Sequence, residues 1–308
     1  MIVLQGHPLE WEVVAPTAVT VGVFDGVHIG HRRVISDLVA SARGESLLPT
    51  AVTFHPHPLT FLAPERAPLM LTSLEQRVEQ FQELGVAVCG VLHFPDIRYL
   101  SPESFAVDVL ATSLGARKVV VGADFRFGRD RGGDAGTLTE LGDDHGFTVE
   151  VVDMFGHLEG VVSSTRIRNL LLEGKVEEAA TLLARPFELE GRVEAGDGRG
   201  RTLGIPTANL NVDRGRLIPG NGVYAGRARL GERDQLAVIN VGSRPTFAGE
   251  GRRVEAHLLD FQGDLYGQSL RLTFEAHLRV EQKFESVEAL QLQIEADISL
   301  ARQVLSRT

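Results

Sequence analysis

The stretch Gly22-Val-Phe-Asp-Gly-Val-His-Ile-Gly-His31 sets two imidazoles, His28 and His31, on either side of Gly30. Imidazole N–H groups are donors suited to an anion, and attack at phosphorus builds negative charge that fixed donors stabilise. Two elements must position them. Ala18–Phe24 is a β-rich apolar run, and from His31 onward Val34, Ile35, Leu38, Val39 and Ala42 recur at helical spacing. The histidines therefore sit at a strand–loop–helix junction, beside the partly positive end of a helix, where a phosphate is favoured. A second such start lies at Ser163-Ser164-Thr165, which caps a helix over Arg166–Leu172 and adds hydroxyls and guanidinium groups. Together the two starts predict a site for a nucleoside triphosphate. It is not a P-loop, because Gly174-Lys175 lacks both the upstream glycine and a following Ser or Thr.

A different chemistry is written further on. Thr207 and Asn209 stand two residues apart, on one face of a strand, and offer hard oxygens suited to Mg²⁺ and its bound phosphates. Glu255, in a strand read over Arg253–Leu259, could take a proton from an attacking alcohol. The preceding Gly-Asp-Gly-Arg-Gly-Arg-Thr-Leu-Gly stretch, 196–204, has no helix after it, so it is not a dinucleotide fingerprint. His55 and His57, each followed by proline, read as a substrate-wall loop rather than a zinc site, since only one cysteine accompanies them.

The elements that carry these residues fall into two grammars. In the first half, strands at Thr50–Phe54, Val86–His93, Lys118–Gly122 and Phe147–Val152 alternate with helices at Ser73–Leu84 and Ser101–Leu114. That alternation predicts a doubly wound parallel α/β sheet, which binds ligands at the carboxyl ends of its strands. The unusual residues fall at those ends. A second helix, Val176–Ala184, stops before Arg185-Pro186, and the boundary is placed there, giving domains 1–184 and 185–308. Beyond it the period becomes two, with strands near Phe187–Val193, Gly222–Leu230, Gln235–Val241, Arg253–Leu259 and Gln268–Val280. These predict an antiparallel β-barrel. A closing helix, Val287–Leu305, carries Leu290, Ile294, Ile298 and Leu305 on one stripe.

Composition bounds the function. At 308 residues the chain can form two cores, and its 43% apolar content and near-zero mean hydropathy mark a globular protein. The start has no basic leader and no 18-residue apolar span follows, so the expectation is a cytoplasmic protein without membrane partners. Residues 1–184 hold 14 basic and 24 acidic side chains, and residues 185–308 hold 17 of each. Neither half has the positive excess that nucleic-acid binding needs. Only Lys118, Lys175 and Lys283 are lysines, so a phosphate-binding cation is expected to be arginine.

The motifs also carry a resemblance. His28-Ile-Gly-His31 with a later Ser-Thr-Arg-Ile-Arg is similar to the nucleotidyltransferase superfamily that shares its signature with class I aminoacyl-tRNA synthetases. Gly22–His31, Thr53-Phe-His-Pro-His-Pro58, Gly122-Ala-Asp-Phe-Arg-Phe-Gly128 and Ser163–Arg168 together resemble the bacterial bifunctional riboflavin kinase/FAD synthetase family. In the second half Gly200–Leu210, Pro219–Ala225, Asn240–Phe247, Val254–Asp260 and Leu278–Phe284 resemble its kinase module. One departure is Ile97-Arg98, where Phe-Ala is expected.

The resemblance implies a nucleotidyltransferase domain that converts FMN to FAD, with pyrophosphate released, and a barrel that phosphorylates riboflavin to FMN. ATP with Mg²⁺ is the expected donor for both. In the first module it implies transition-state roles for His28 and His31. Gly22, Phe24, Asp25, Gly26, Asp124, Arg126, Phe127, Ser164, Thr165 and Arg168 would contact nucleotide, flavin or phosphates. In the second it implies Gly198, Gly200, Arg201, Thr207 and Asn209 around MgATP, Glu255 as base, and Arg279 and Phe284 against the flavin. Two other classes stand beside this reading: a class I tRNA-synthetase-like enzyme and a non-enzymatic flavin-binding barrel.

Overall fold

The computed structural model describes residues 1–13, 15–153, 156–157, 160–196, 205–231, 233–246 and 249–306. Contacts divide the chain into two compact units, Met1–Ser163 and Ser164–Thr308.

The first unit is built on six parallel strands: β1 (Ile2–Leu4), β2 (Thr17–Val21), β3 (Leu48–Phe54), β4 (Val88–Leu92), β5 (Ala116–Gly122) and β6 (Thr148–Val152). Their order in the sheet is β1-β4-β3-β2-β5-β6. The chain steps outward from β2 through β3 to β4, then crosses back to place β5 on the other flank of β2. The switch point therefore lies between the carboxyl ends of β2 and β5, where doubly wound sheets bind their ligands.

Both faces of this sheet are covered, which is why β2 and β4 are buried along their whole length. On one face Val19, Val21, Val52, Val119 and Val121 pack with Phe105, Val109, Leu110 and Leu138. On the other, Ala51 packs with Ile35 and Val39 of α1 (Ile29–Gly44) and with Phe81 of α2 (Leu74–Glu83). The helix expected over Ser101–Leu114 is α-helical only at Pro102–Ser104 and continues as a π-helix, Phe105–Ser113. The described elements that the sequence pattern does not predict include the edge strand β1 and the helix α3 (Ala135–His145).

The second unit begins with α4 (Ser164–Leu172) and α5 (Val176–Leu183), followed by β7 (Phe187–Glu194), β8 (Ala208–Asn211), β9 (Gly222–Leu230), β10 (Arg233–Thr246), β11 (Gly249–Leu258) and β12 (Ser269–Phe274). These six antiparallel strands close in the order β10-β11-β8-β7-β12-β9, with β9 pairing back to β10. The expected strand Gln268–Val280 is broken at Glu275, whose N–H leaves the ladder for the Ala225 carbonyl, so a separate β13 (Ala276–Arg279) pairs with β9. The closing helix α6 (Val287–Leu305) matches its expected span, is capped by Ser286, and packs Ala301 and Leu305 against Val223, Ala225 and Val238. The fold is thus the expected α/β sheet followed by an antiparallel barrel and a C-terminal helix. Compactness divides the chain ahead of Arg185, because α4 and α5 stay with the barrel: the Leu171 carbonyl accepts from Gly220 N–H, and the Glu177 carboxylate from His277 N–H.

Candidate active sites

At the carboxyl end of β2 the chain turns through Gly22–Val27 and delivers His28 as the N-cap of α1. His28 Nδ1 accepts the His31 N–H at 3.3 Å. A ring nitrogen that accepts carries no proton, so in neutral His28 the proton sits on Nε2, which is then the donor. His31 stacks on His28 with ring centroids 3.6 Å apart. Burial first, and the adjacent His28 second, hold the His31 pKa well below the ordinary histidine value. His31 is therefore a neutral imidazole at pH 7, a donor that brings no charge of its own.

The turn is backbone-strained. Phe24 (φ 51°), Gly26 (φ 82°) and Val27 (φ 41°) all lie in the left-handed region, which only the glycine occupies without cost. Gly22 is needed for a different reason: a Cβ there would come 3.0 Å from the Phe24 ring.

The sequence places Phe24, Asp25 and Phe127 against nucleotide, flavin or phosphates, and all three side chains are buried with partners inside the protein. The Asp25 carboxylate, 2% exposed, accepts from Leu71 N–H at 3.0 Å and from Thr72 N–H and Oγ1–H at 3.1 Å. Thr72 Oγ1 in turn accepts from Gly26 N–H at 3.1 Å. Asp25 is turned inward because buried N–H groups need an acceptor. Phe24 is buried edge-on to Phe81 and His31. Phe127 is buried with Phe105 and Phe125.

On the other side of the switch point, Asp124 follows β5 and is exposed. Arg126 pairs with Asp134 at 2.7 Å. The Thr137 N–H, and after it Arg126, hold the Asp134 carboxyl below its usual range as it caps α3. His55 and His57 follow β3 at the same sheet edge, and His57 Nδ1 accepts from Leu59 N–H at 3.1 Å. No group of three His, Cys, Asp or Glu side chains among the described residues could hold a metal ion.

Ser164, Thr165 and Arg168 lie in the first turns of α4, in the second unit. Thr165 is exposed and the other two are half-buried, while Ile167 and Leu171 anchor the helix.

The second unit carries a cavity of about 380 Å³. Register explains its polar wall. Asn209 on β8 pairs with Glu255 on β11, Glu255 with Asn240 on β10, Asn240 with Val223 on β9, and Val223 with Arg279 on β13. All five line the cavity as a row across five strands. Their strand neighbours Ala208, Leu210, Val254, Ala256, Ile239 and Val241 are buried on the opposite face. Thr207, one residue before β8, lines the cavity too, and Phe284, Leu290 and Ile294 add an apolar wall.

Arg253 Nε lies 2.7 Å from both Asn209 Oδ1 and Glu255 Oε1, so one guanidinium ties the two together. His257, also lining, has Nδ1 2.8 Å from the Pro206 carbonyl and must donate to it. Arg279 holds Asp297 at 2.8 Å and lies over the Phe284 ring at 5.7 Å. Asn240, Arg253 and His257 are not singled out by the sequence pattern, although Asn240 and His257 lie inside the motifs Asn240–Phe247 and Val254–Asp260. Strand register was the signal needed. Gly198, Gly200 and Arg201 lie outside the described residues.

Both halves of the chain match known families. The FAD synthetase family matches residues 12–166, and the riboflavin kinase family matches residues 183–305. The bifunctional riboflavin kinase/FMN adenylyltransferase of Pseudomonas fluorescens is 40% identical over 92% of this chain and 91% of its own. The enzyme of the same description from Escherichia coli K12 is 38% identical over 94% and 93%. A crystal structure of a macrolide-efflux protein from Streptococcus pneumoniae superposes with a TM-score of 0.91 at 30% identity, covering 98% of this chain and 99% of that one. No helix among the described residues is long and apolar enough to cross a membrane.

Proposed function

The chain belongs to the bifunctional riboflavin kinase/FMN adenylyltransferase family, and from that premise we propose how its residues divide the work. The protein phosphorylates riboflavin to FMN and adenylylates FMN to FAD. We assign the second reaction to residues 1–184 and the first to residues 185–308, with ATP as donor in both.

In the barrel, the 5′-hydroxyl oxygen of riboflavin attacks the γ-phosphorus of ATP. The new O–P bond replaces the β,γ-bridging bond, ADP departs, and Glu255 takes the hydroxyl proton. Arg253 holds that carboxylate and Asn209 on the cavity wall. Thr207 and Asn209 would hold Mg²⁺ delivered with the nucleotide, their oxygens fitting a hard cation that keeps phosphates and waters as its other ligands. When bound, Mg²⁺ supplies neutralisation of phosphate charge. Gly198, Gly200 and Arg201 are assigned to the same nucleotide, and Arg279 and Phe284 to the flavin. The carrying observation is the cavity's lining, which joins Asn209, Glu255 and Asn240 from one register row with the apolar Phe284, Leu290 and Ile294. That suits a planar apolar ring with a reactive hydroxyl at its end.

In the first module, an FMN phosphate oxygen attacks the α-phosphorus of ATP and pyrophosphate leaves. His28 Nε2–H and the neutral His31 donate to oxygens that gain charge on the way to the transition state. Ser164, Thr165 and Arg168 are assigned to the phosphates, Asp124 and Arg126 to the pocket rim, and Gly22 and Gly26 to close backbone approach. Both nucleophiles belong to substrates, so no covalent enzyme intermediate forms. The expected setting is the cytoplasm, with ATP, riboflavin and FMN as partners.

Two substitutions test the division. Glu255→Gln lowers riboflavin phosphorylation about a hundredfold or more and spares FMN adenylylation. His28→Ala does the reverse, by roughly a hundredfold in turnover. Loss of both activities in either variant overturns the assignment.

A further inference from the structure

Arg77 is the largest fully buried side chain of the described residues, with no exposed surface at all. Its Nη1 donates to the Val23 carbonyl, the Thr53 hydroxyl oxygen and the Phe54 carbonyl, each at 2.9 Å. The Thr53 hydroxyl donates to the same Val23 carbonyl at 2.9 Å. Those acceptors sit at the carboxyl ends of two neighbouring strands, β2 and β3, where the turn to His28 begins.

A buried guanidinium is costly, and an apolar side chain of similar volume would pack this helix face at less expense. What the charge supplies is a cluster of strong directional bonds at one point. That point adjoins a turn in which Phe24 and Val27 are held at positive φ, a conformation that persists only where the surroundings enforce it. Thr72 enforces it from the far side, through Asp25 and Gly26 N–H. Thr72 immediately precedes Ser73, the capping-box N-cap of α2, and Arg77 lies on that helix. One helix and its cap thus grip the turn at Val23, Asp25 and Gly26.

We propose that Arg77 is a positioning residue for adenylylation: from α2 it holds the strained Gly22–Val27 turn, and so sets where His28 and His31 present their N–H groups. The assignment rests on the reading of those histidines as the donors at the α-phosphate. Arg77 touches neither substrate, and its effect passes through the turn.

The test is a double-mutant cycle in the full-length protein, with steady-state adenylylation and riboflavin phosphorylation measured on the same samples. Arg77→Met lowers adenylylation turnover about thirtyfold to a hundredfold, the cost of misplacing a catalytic group by about 1 Å. Its KM for ATP stays within about threefold, because the donors act in the transition state. Arg77→Lys recovers part of the loss, since an ammonium still reaches a carbonyl. In a His28→Ala background the same Arg77→Met change costs less than about threefold, as expected of residues acting in series. Fluorescence of Trp11, the single tryptophan, checks that the first unit is folded. If Arg77→Met does not fold, Arg77→Lys and Thr72→Val carry the cycle. Normal turnover in the Arg77 variants overturns the proposal while His28→Ala remains impaired. So does an undiminished Arg77 effect in the His28→Ala background, or a parallel loss of kinase activity. Normal adenylylation in His28→Ala overturns the histidine reading itself and takes the proposal with it.

Discussion

Removing the Asp25 carboxylate, as Asp25→Ala, separates the loop-anchoring role that the geometry assigns it from a nucleotide contact. The donors to this carboxylate include the N–H groups of Leu71 and Thr72 and the Thr72 hydroxyl. The hydroxyl can rotate to another acceptor while still receiving Gly26 N–H. The two N–H groups cannot, and Leu71 and Thr72 are only 1% and 4% exposed. Each stranded donor costs about 1–3 kcal/mol, and together with the lost charge-assisted bonds the expected destabilisation is about 3–5 kcal/mol. For a unit of this size that lowers the unfolding temperature by roughly 6–20 °C. Asp25→Asn keeps one oxygen acceptor but turns an NH₂ toward another donor, so it falls between the two. Trp11 reports the transition, because it is buried in the first unit, 2.8 Å from where a Gly90 Cβ would stand. Adenylylation falls with the folded fraction while riboflavin phosphorylation at low temperature is kept. An unchanged Trp11 transition together with weakened ATP affinity would refute the anchoring argument and return Asp25 to the nucleotide.

Two further outcomes are expected. The His31 pKa is lowered in the folded protein, so below pH ~6.5 the unfolded chain binds a proton that the folded one refuses, and stability falls as pH drops through that window. Urea titrations at pH 7.5 and 5.5 measure the slope, and His31→Gln should flatten it. The second concerns where the chain can be cut: a fragment 164–308 should keep kinase activity and unfold cooperatively. A fragment 185–308 discards the Leu171–Gly220 and Glu177–His277 bonds and should melt lower, and equal melting temperatures would place both helices outside the kinase fold.

Elements with a strong local pattern were legible in the sequence. The period-3.6 stripe of α6 shows its span directly, because one face packs on the barrel and the other does not; β9 is buried on both faces over Gly222–Gly226 and is marked instead by its β-rich run. The helix α3 was missed because its Ala-Gly-Thr-Leu-Thr-Glu-Leu-Gly-Asp-Asp-His sequence offers two leucines and two helix-weakening glycines. What holds it is a tertiary fact: Gly142 lies where a Cβ would strike the Phe147 carbonyl oxygen, at 2.5 Å. The strand β1 is three residues long and largely exposed, too short to show a period.

The sites divide along the same line. His28 and His31 were legible because a helix start is local, and so were Thr207 and Asn209, two apart on one strand. Asn240, Arg253 and Arg77 were not, because each owes its place to a partner 15 to 54 residues away in sequence. The burial of Asp25 and Phe24 is hidden from local reading for a related reason. A turn rich in glycine and charge reads as a ligand loop whichever way its side chains point. Only the register of Thr72 beneath it decides that the carboxylate faces inward. A strained turn must be held by something outside itself, so the residues that hold it are the ones local reading cannot find. In the first unit those are Thr72, which grips the turn through Asp25, and Arg77, and on the reading proposed above they fix the pair of imidazoles at the end of a short motif.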